Sequence, residues 1–289
     1  MATVIDRIEL TEGGWRDRHS ALRLAVRAAR DCLNETGRTP HDIDLLINAG
    51  IYRDRNLGEP ALAAMIQQDI GANPETPHAG SHGTFSFDIM NGSCGVLTAL
   101  QIVDGFLRSH SIDCALIVAS DANPGHGMSE RFPFSPSGAA LLCTWTDDDH
   151  GFGRSYWASA LDERESFSAT VGLVDNRNIL RFDVAATADI HLANVAAHAV
   201  ERCLSESRRT IDDIDAIAAA PAQPRFRTAL AGQLGVSQDL ITIANDEHMH
   251  TASLASSLND AATKVGAGGQ LLLVAAGAGV TAGAALYRV

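Results

Sequence analysis

The chain has 289 residues, 46% of them apolar and 20% charged, an ordinary globular balance in a length that suits one large core or two fused halves. Its formal charge of −13 argues against general nucleic-acid binding, which needs a basic surface. No apolar run is long enough to span a membrane and no signal peptide is visible. The five cysteines (Cys32, Cys94, Cys114, Cys143 and Cys203) lack metal or disulfide spacing, so a soluble cytoplasmic protein with reduced thiols is expected.

In chain order, residues 21–30 have the apolar spacing of an amphipathic helix. The run 45–47 is too short and too apolar for a surface helix and reads as a buried strand. Residues 60–71 read as a helix ended by Gly71. Residues 85–90 read as a strand, and a sharp Gly92-Ser93-Cys94-Gly95 joint starts the next helix. Two β stretches, 114–120 and 138–145, close the first half. Residues 146–178, with the acidic run Asp147-Asp148-Asp149 and weak periodicity, read as a join. The second half follows with a helix over 192–200, a strand over 216–218 and a helix over 225–235. A further helix starts near His250, and β stretches cover 270–276 and 281–289. The division is 1–146 for the N-terminal half, 147–178 for the connection and 179–289 for the C-terminal half.

The halves echo each other. Cys32-Leu33, Glu35, Arg38-Thr39 and Asp42-Ile43-Asp44 return as Cys203-Leu204, Glu206, Arg209-Thr210 and Asp213-Ile214-Asp215 at a constant offset of 171 residues. A period that long suits a duplicated domain rather than a solenoid. Strands alternating with helices predict an α/β fold with mostly parallel sheets. Under a pseudo-twofold axis, the helix starts at Cys94 and His250 would meet.

Cys94 has two readings. At a strand-to-helix turn, the free N–H groups and positive end of a helix favour a thiolate nucleophile. Alternatively it is a small buried thiol, as most free cysteines are. Local positive charge gathers at Arg53 with Arg55 and at Arg225 with Arg227, each pair a binding patch or a solvated face. His248 and His250, two apart, are a poor zinc signal, as are the loop residues His78, His82 and His126, so no metal is expected. Asp121 follows a strand and reads as an active loop residue or as a turn cap. The glycine-rich stretch 277–283 lacks the Lys-Ser/Thr ending of a phosphate loop.

These residues resemble the thiolase superfamily, and within it the ketoacyl-ACP synthase III-like condensing enzymes, over most of the chain. Residues 88–95 resemble the nucleophile segment. His248-Met249-His250-Thr251-Ala252-Ser253 resembles a Gly-Asn-Thr-Ser segment, and 277–286 the glycine-rich C-terminus. The resemblance implies a thiolase-like five-layered αβαβα fold with duplicated halves. It implies acyl transfer from an acyl-CoA or acyl-ACP thioester through acyl-Cys94, as in fatty acid or polyketide biosynthesis. His250 would be the base, and the backbone N–H groups of Cys94 and Ala278 the oxyanion donors. Arg227, with Arg225 beside it, would receive an acyl carrier protein or coenzyme A. No metal or redox cofactor, no nucleic acid and no membrane is implied, and the usual state is a homodimer.

Three departures stand out. Ala222 occupies the position of the family's histidine, His250 that of its asparagine, and the tryptophan and arginine that grip the coenzyme A adenine are not recognisable. Decarboxylative condensation is the activity these changes put in doubt. The alternatives are a non-catalytic subunit heterodimerised with an active paralogue, and a thioesterase.

Overall fold

The computed structural model describes residues 2–54, 61–73, 83–125, 127–160, 167–174, 177–277 and 279–289. The N-terminal half comprises β1 (Ala2–Glu12), α1 (Ala21–Thr36), β2 (Leu45–Asn48), α2 (Leu62–Ile70), β3 (Phe85–Asp88), α3 (Gly95–Arg108), β4 (Cys114–Asp121) and β5 (Ser137–Thr146). After it come β6 (Gly151–Ser159), β7 (Phe167–Val174) and β8 (Arg177–Val184). The chain then continues through α4 (Ala188–Glu206), β9 (Ala216–Ala220), α5 (Pro224–Leu234), β10 (Ile241–Thr242), α6 (Ser253–Ala262), β11 (Gln270–Gly277) and β12 (Thr281–Arg288).

The duplication is explicit in the strand pairing. β2 runs parallel to β3 and β4, β4 is antiparallel to β5, and β5 to β1. In the second half β9 runs parallel to β10 and β11, β11 is antiparallel to β12, and β12 to β6. A β1–β6 contact at Thr3 and Phe152 joins the two sets into one ten-stranded sheet.

Three apolar layers hold the sheet. Leu24, Ala28 and Leu33 of α1 and Ile66 of α2 pack on Leu46, Leu116 and Leu142. The opposite strand faces, Ile47, Ile117 and Leu141 in one half and Ala218, Leu273 and Ala275 in the other, enclose Leu97 and Leu100 of α3 and Leu254 and Leu258 of α6. Val195 and Val200 of α4 and Phe226 of α5 cover Ile217, Leu272 and Val274. This is the expected αβαβα layering, and the alternation of faces along each strand produces it.

The repeated motif does the same local work twice. Thr39 and Asp42 form a capping box around a short 3₁₀ turn, and so do Thr210 and Asp213, with the threonine N–H donating to the aspartate over 2.7 Å in both. Asp44 accepts from the Asp113 and Cys114 N–H groups, and Asp215 from the Gln270 N–H, so each ties its strand entry to a neighbour.

Two regions differ from expectation. β1 was not foreseen, because a register shift between Ile5 and Arg7 breaks the alternation that marks a strand. Within the stretch read as a connection, β6 pairs with β12 of the second half. The β7–β8 hairpin forms a separate two-stranded sheet, bridged to Ser129 through Leu180. Among the described residues, no helix is long and apolar enough to cross a membrane.

Candidate active site

The ends of several strands converge on one cavity. β3 leads to the Gly92–Cys94 turn, β4 ends at Asp121, β9 runs into Pro221, β11 ends at Gly277, and the loop after β10 carries His250. Carboxyl ends of strands are where open α/β sheets place their ligands. The cavity measures about 210 Å³ and is largely apolar. Phe134, Phe167, Val184 and Leu192 form its apolar wall, and Ser93, His250 and Gly277 its inner end.

Cys94 lies at the start of the central helix, the place where a thiolate facing a pocket is expected. Among the described residues, Ser93 rather than Cys94 is the member of this turn that lines the cavity. Cys94 is fully buried, with Sγ 3.6 Å from the Thr281 carbonyl oxygen. Burial pushes its thiol up to about 12. Desolvation disfavours the thiolate, the opposite of the direction in which a helix N-terminus acts.

The turn that sets this phase is a 3₁₀ segment, Gly92–Cys94, running directly into α3. Gly92 has φ +51°, a conformation that favours glycine. Ser93 is also buried apart from its cavity face, and its hydroxyl donates to the Ala276 carbonyl oxygen (2.5 Å). Gly277 makes room for it: a Cβ there would lie 3.0 Å from Ser93 Oγ and 3.3 Å from Cys94 Sγ. The Cys94 N–H donates to the Asn91 carbonyl oxygen at 3.0 Å and the Gly95 N–H to that of Gly92, so the N–H groups of Gly92 and Ser93 precede the bonded turn, at the positive end of the dipole.

His250 is held on three sides. Its ring stacks on Phe134, with centroids 3.9 Å apart and planes 5° from parallel. Tyr52 lies 6.1 Å away in a near-parallel orientation. Nδ1 is 3.4 Å from Asp121 Oδ1, and Nε2 faces Gly92, where a Cβ would lie 3.3 Å away. Asp121 is completely buried, and its Oδ2 accepts from both the N–H and the hydroxyl of Thr251 at 2.7 Å. Burial, with the Asp121 charge adding to it, pushes the Tyr52 phenol up. The Gly92–Cys94 turn and His250 thus come from different halves and approach each other, a Cβ at Gly92 lying 3.3 Å from Nε2.

The remaining site expectations fall out as follows. Arg225 is exposed on the first turn of α5, near enough to Asp189 on the cavity wall to favour its charged form against the rise caused by burial. Arg227, two positions on, is turned away and donates twice to the Gln238 carbonyl oxygen, at 3.0 and 2.6 Å. The two therefore do not form one patch, since positions i and i+2 face different sides of a helix. Arg53 is buried against Asp88 (3.1 Å), which also accepts the Leu62 and Ala63 N–H groups at the start of α2. It is a structural cation rather than an open docking site. Arg55, His78, His82, His126 and Ala278 lie outside the described residues. Ala222 is buried and opens on a neighbouring depression beside Arg227 and Lys264. No group of three or more His, Cys, Asp or Glu side chains suited to a metal occurs among the described residues.

Sequence reasoning missed Ser93 as a lining residue of the His250 cavity and the contact of Asp121 with His250. Ser93 was in view only as a small turn residue, and Asp121 lies 129 positions from His250 with no local pattern to join them.

Comparisons with known proteins agree with this architecture. Residues 204–289 match the family model described as 3-oxoacyl-[acyl-carrier-protein (ACP)] synthase III C terminal. The beta-ketoacyl-[acyl-carrier-protein] synthase III of Anaplasma marginale is 26% identical over 290 residues, covering 92% of this chain and 83% of the relative. That of Paramagnetospirillum magneticum is 28% identical over 308 residues, covering 96% and 88%. Among solved structures, the 3-oxoacyl-(acyl carrier protein) synthase III of Pseudomonas aeruginosa PAO1 superposes with a TM-score of 0.80 at 18% identity, covering 100% of this chain and 98% of that one. The Aquifex aeolicus VF5 counterpart gives 0.75 at 18% identity with the same coverage. The chain has the thiolase-like fold of these 3-oxoacyl-(acyl-carrier-protein) synthase III structures.

Proposed function

We propose that this protein transfers a short acyl group from a thioester of coenzyme A or acyl carrier protein by way of an acyl ester on Ser93. The observation that carries the reading is that Ser93 and His250 line one cavity while the Cys94 sulfur is packed against Thr281. The similarity to condensing enzymes supplies the thioester class of donor.

The Ser93 hydroxyl turns from the Ala276 carbonyl toward His250 Nε2, a rotation about χ1. Oγ attacks the thioester carbonyl carbon as Nε2 takes its proton. The oxyanion is stabilised by the free N–H groups and dipole at the start of the helical segment. The C–S bond breaks, the leaving sulfur takes the proton from His250, and an ester remains on Ser93. A hydroxyl, amine, thiol or water then attacks that ester by the same steps reversed. Ala222 offers no side-chain donor to an enolate, so acyl transfer is favoured over decarboxylative condensation. At about 210 Å³ the cavity is below the usual size for drug-like ligands, which favours a short chain.

The test is release of free thiol from a panel of acyl-CoA and acyl-carrier thioesters. Wild type and Cys94→Ala release it, and Ser93→Ala does not. Loss of release in Cys94→Ala with retention in Ser93→Ala would return the nucleophile to Cys94. A second reading, a non-catalytic subunit paired with an active paralogue, is favoured by the apolar Ala222 and by the Ser93–Ala276 hydrogen bond. It is supported if no variant and no wild type releases thiol.

For the assembly, we propose a homodimer through the edge of the sheet. Among the described residues β3 has a neighbour on one side only, and it carries Phe85, 60% exposed, with Met90, 57% exposed, just beyond its end. An apolar open edge is a template for pairing with a second chain.

A further inference from the structure

We infer that Asp121 is the positioning residue that fixes the tautomer of His250, leaving Nε2 as the atom that takes the Ser93 proton. This rests on the roles of Ser93 and His250 given above.

The two oxygens of Asp121 have different partners. Oδ2 is committed to Thr251, accepting its N–H and its hydroxyl at 2.7 Å each. Oδ1 faces His250 Nδ1 at 3.4 Å. A carboxylate only accepts, so the nitrogen facing it must carry the hydrogen. With Nδ1 as the N–H, Nε2 keeps its lone pair, and Nε2 is the atom at the Gly92–Ser93 turn. The Phe134 stack fixes the plane of the ring, and the Asp121 contact selects the edge on which Nδ1 lies within that plane. Among the described residues, Asp121 and Tyr52 are the titratable side chains recorded against this ring, and burial keeps Tyr52 a neutral phenol. The charge that compensates a developing imidazolium therefore comes from Asp121.

Thr251 also makes the decisive variant informative. In Asp121→Asn, both Thr251 donors still require an oxygen at the Oδ2 position. The amide oxygen goes there, and the amide NH₂ is left facing His250 Nδ1. Nδ1 must then accept, the hydrogen moves to Nε2, and the base has no lone pair for Ser93. The turn keeps its Thr251 bonds, so the fold is retained while the proton acceptor is lost.

Two readouts test this on the full chain. ¹⁵N-histidine NMR, with His250→Gln to identify the signal, is expected to show the Nδ1–H tautomer in wild type and the Nε2–H tautomer in Asp121→Asn. The second is phosphonylation by a short-chain alkyl fluorophosphonate: Ser93 Oγ bonds phosphorus, fluoride leaves and the proton goes to His250. The maximal inactivation rate should fall at least about a hundredfold in Asp121→Asn, the lower end for general-base catalysis, with half-saturation unchanged. An Nε2–H tautomer in wild type, or equal inactivation rates in the two proteins, would overturn the inference. Should Asp121→Asn not fold, the wild-type tautomer still decides. Absence of any Ser93 modification in wild type, with the Nδ1–H tautomer present, would count against the acyl-serine reading and leave the positioning role standing.

Discussion

On the proposed mechanism Gly277 has to lack a side chain, because a Cβ there would crowd the Ser93 hydroxyl. Gly277→Ala puts a carbon 3.0 Å from Ser93 Oγ and 3.3 Å from Cys94 Sγ, contacts that demand a shift. We expect a stability loss of about 1–3 kcal/mol by denaturant titration, typical of overpacking, together with loss of thioester turnover. Leu192 limits the cavity from α4. Leu192→Ala should move the preferred donor to longer acyl chains, read as the ratio of kcat/KM across a chain-length series; an unchanged ratio would place the acyl chain elsewhere. The choice between Ser93 and Cys94 was not legible in the sequence. Adjacent residues on a tight helical turn point in different directions, and the phase is set by the Gly92 φ of +51° and the 3₁₀ turn that follows. A cysteine draws attention by its chemistry, yet here packing against Thr281 decides its accessibility.

At the scale of elements, the duplication was legible because it is written in local capping chemistry. Thr39 with Asp42 and Thr210 with Asp213 make the same bonds at the same distances. Thr39→Ala and Thr210→Ala should therefore each cost about 1 kcal/mol, the usual value for a lost cap. A large difference between the two in urea titrations would show that the halves do not share equivalent packing. The helices and buried strands were also legible, since their periods of 3.6 and 2 follow from one buried face each. β1 and β6 were not, as a bulge interrupts one and polar residues populate the other. On α5, Arg225 is the cation left open toward the cavity rim, whereas Arg227 is bound to Gln238. Arg225→Glu should weaken association with an anionic carrier and reduce its salt dependence. Unchanged binding would move the carrier to another face.

At the scale of the whole molecule, the buried thiols dictate a pH response. Burial raises Cys32, Cys94, Cys114 and Cys203 from 9.0 to about 12, and Cys143 well above its ordinary value. An unfolded chain releases these protons as pH passes about 9, while the folded chain keeps them, so folding stability is full below 9 and falls as pH rises toward 12. Each thiol contributes roughly 1.4 kcal/mol per pH unit in that window. Urea midpoints should be flat from pH 7 to 8.5 and drop steeply above 9; a flat profile to pH 11 would mean that the thiols are not shielded. Assembly is tested at the same scale: Phe85→Glu should convert a dimer to a monomer by light scattering.

The central claim is that the acyl group rests on Ser93, and site-localised tandem mass spectrometry of the protein quenched during thioester turnover tests it most directly. The account expects the acyl mass on the Ser93 hydroxyl, stable to neutral hydroxylamine as an ester is, and retained in Cys94→Ala. An acyl mass on the Cys94 sulfur, released by neutral hydroxylamine and lost in Cys94→Ala, would contradict it.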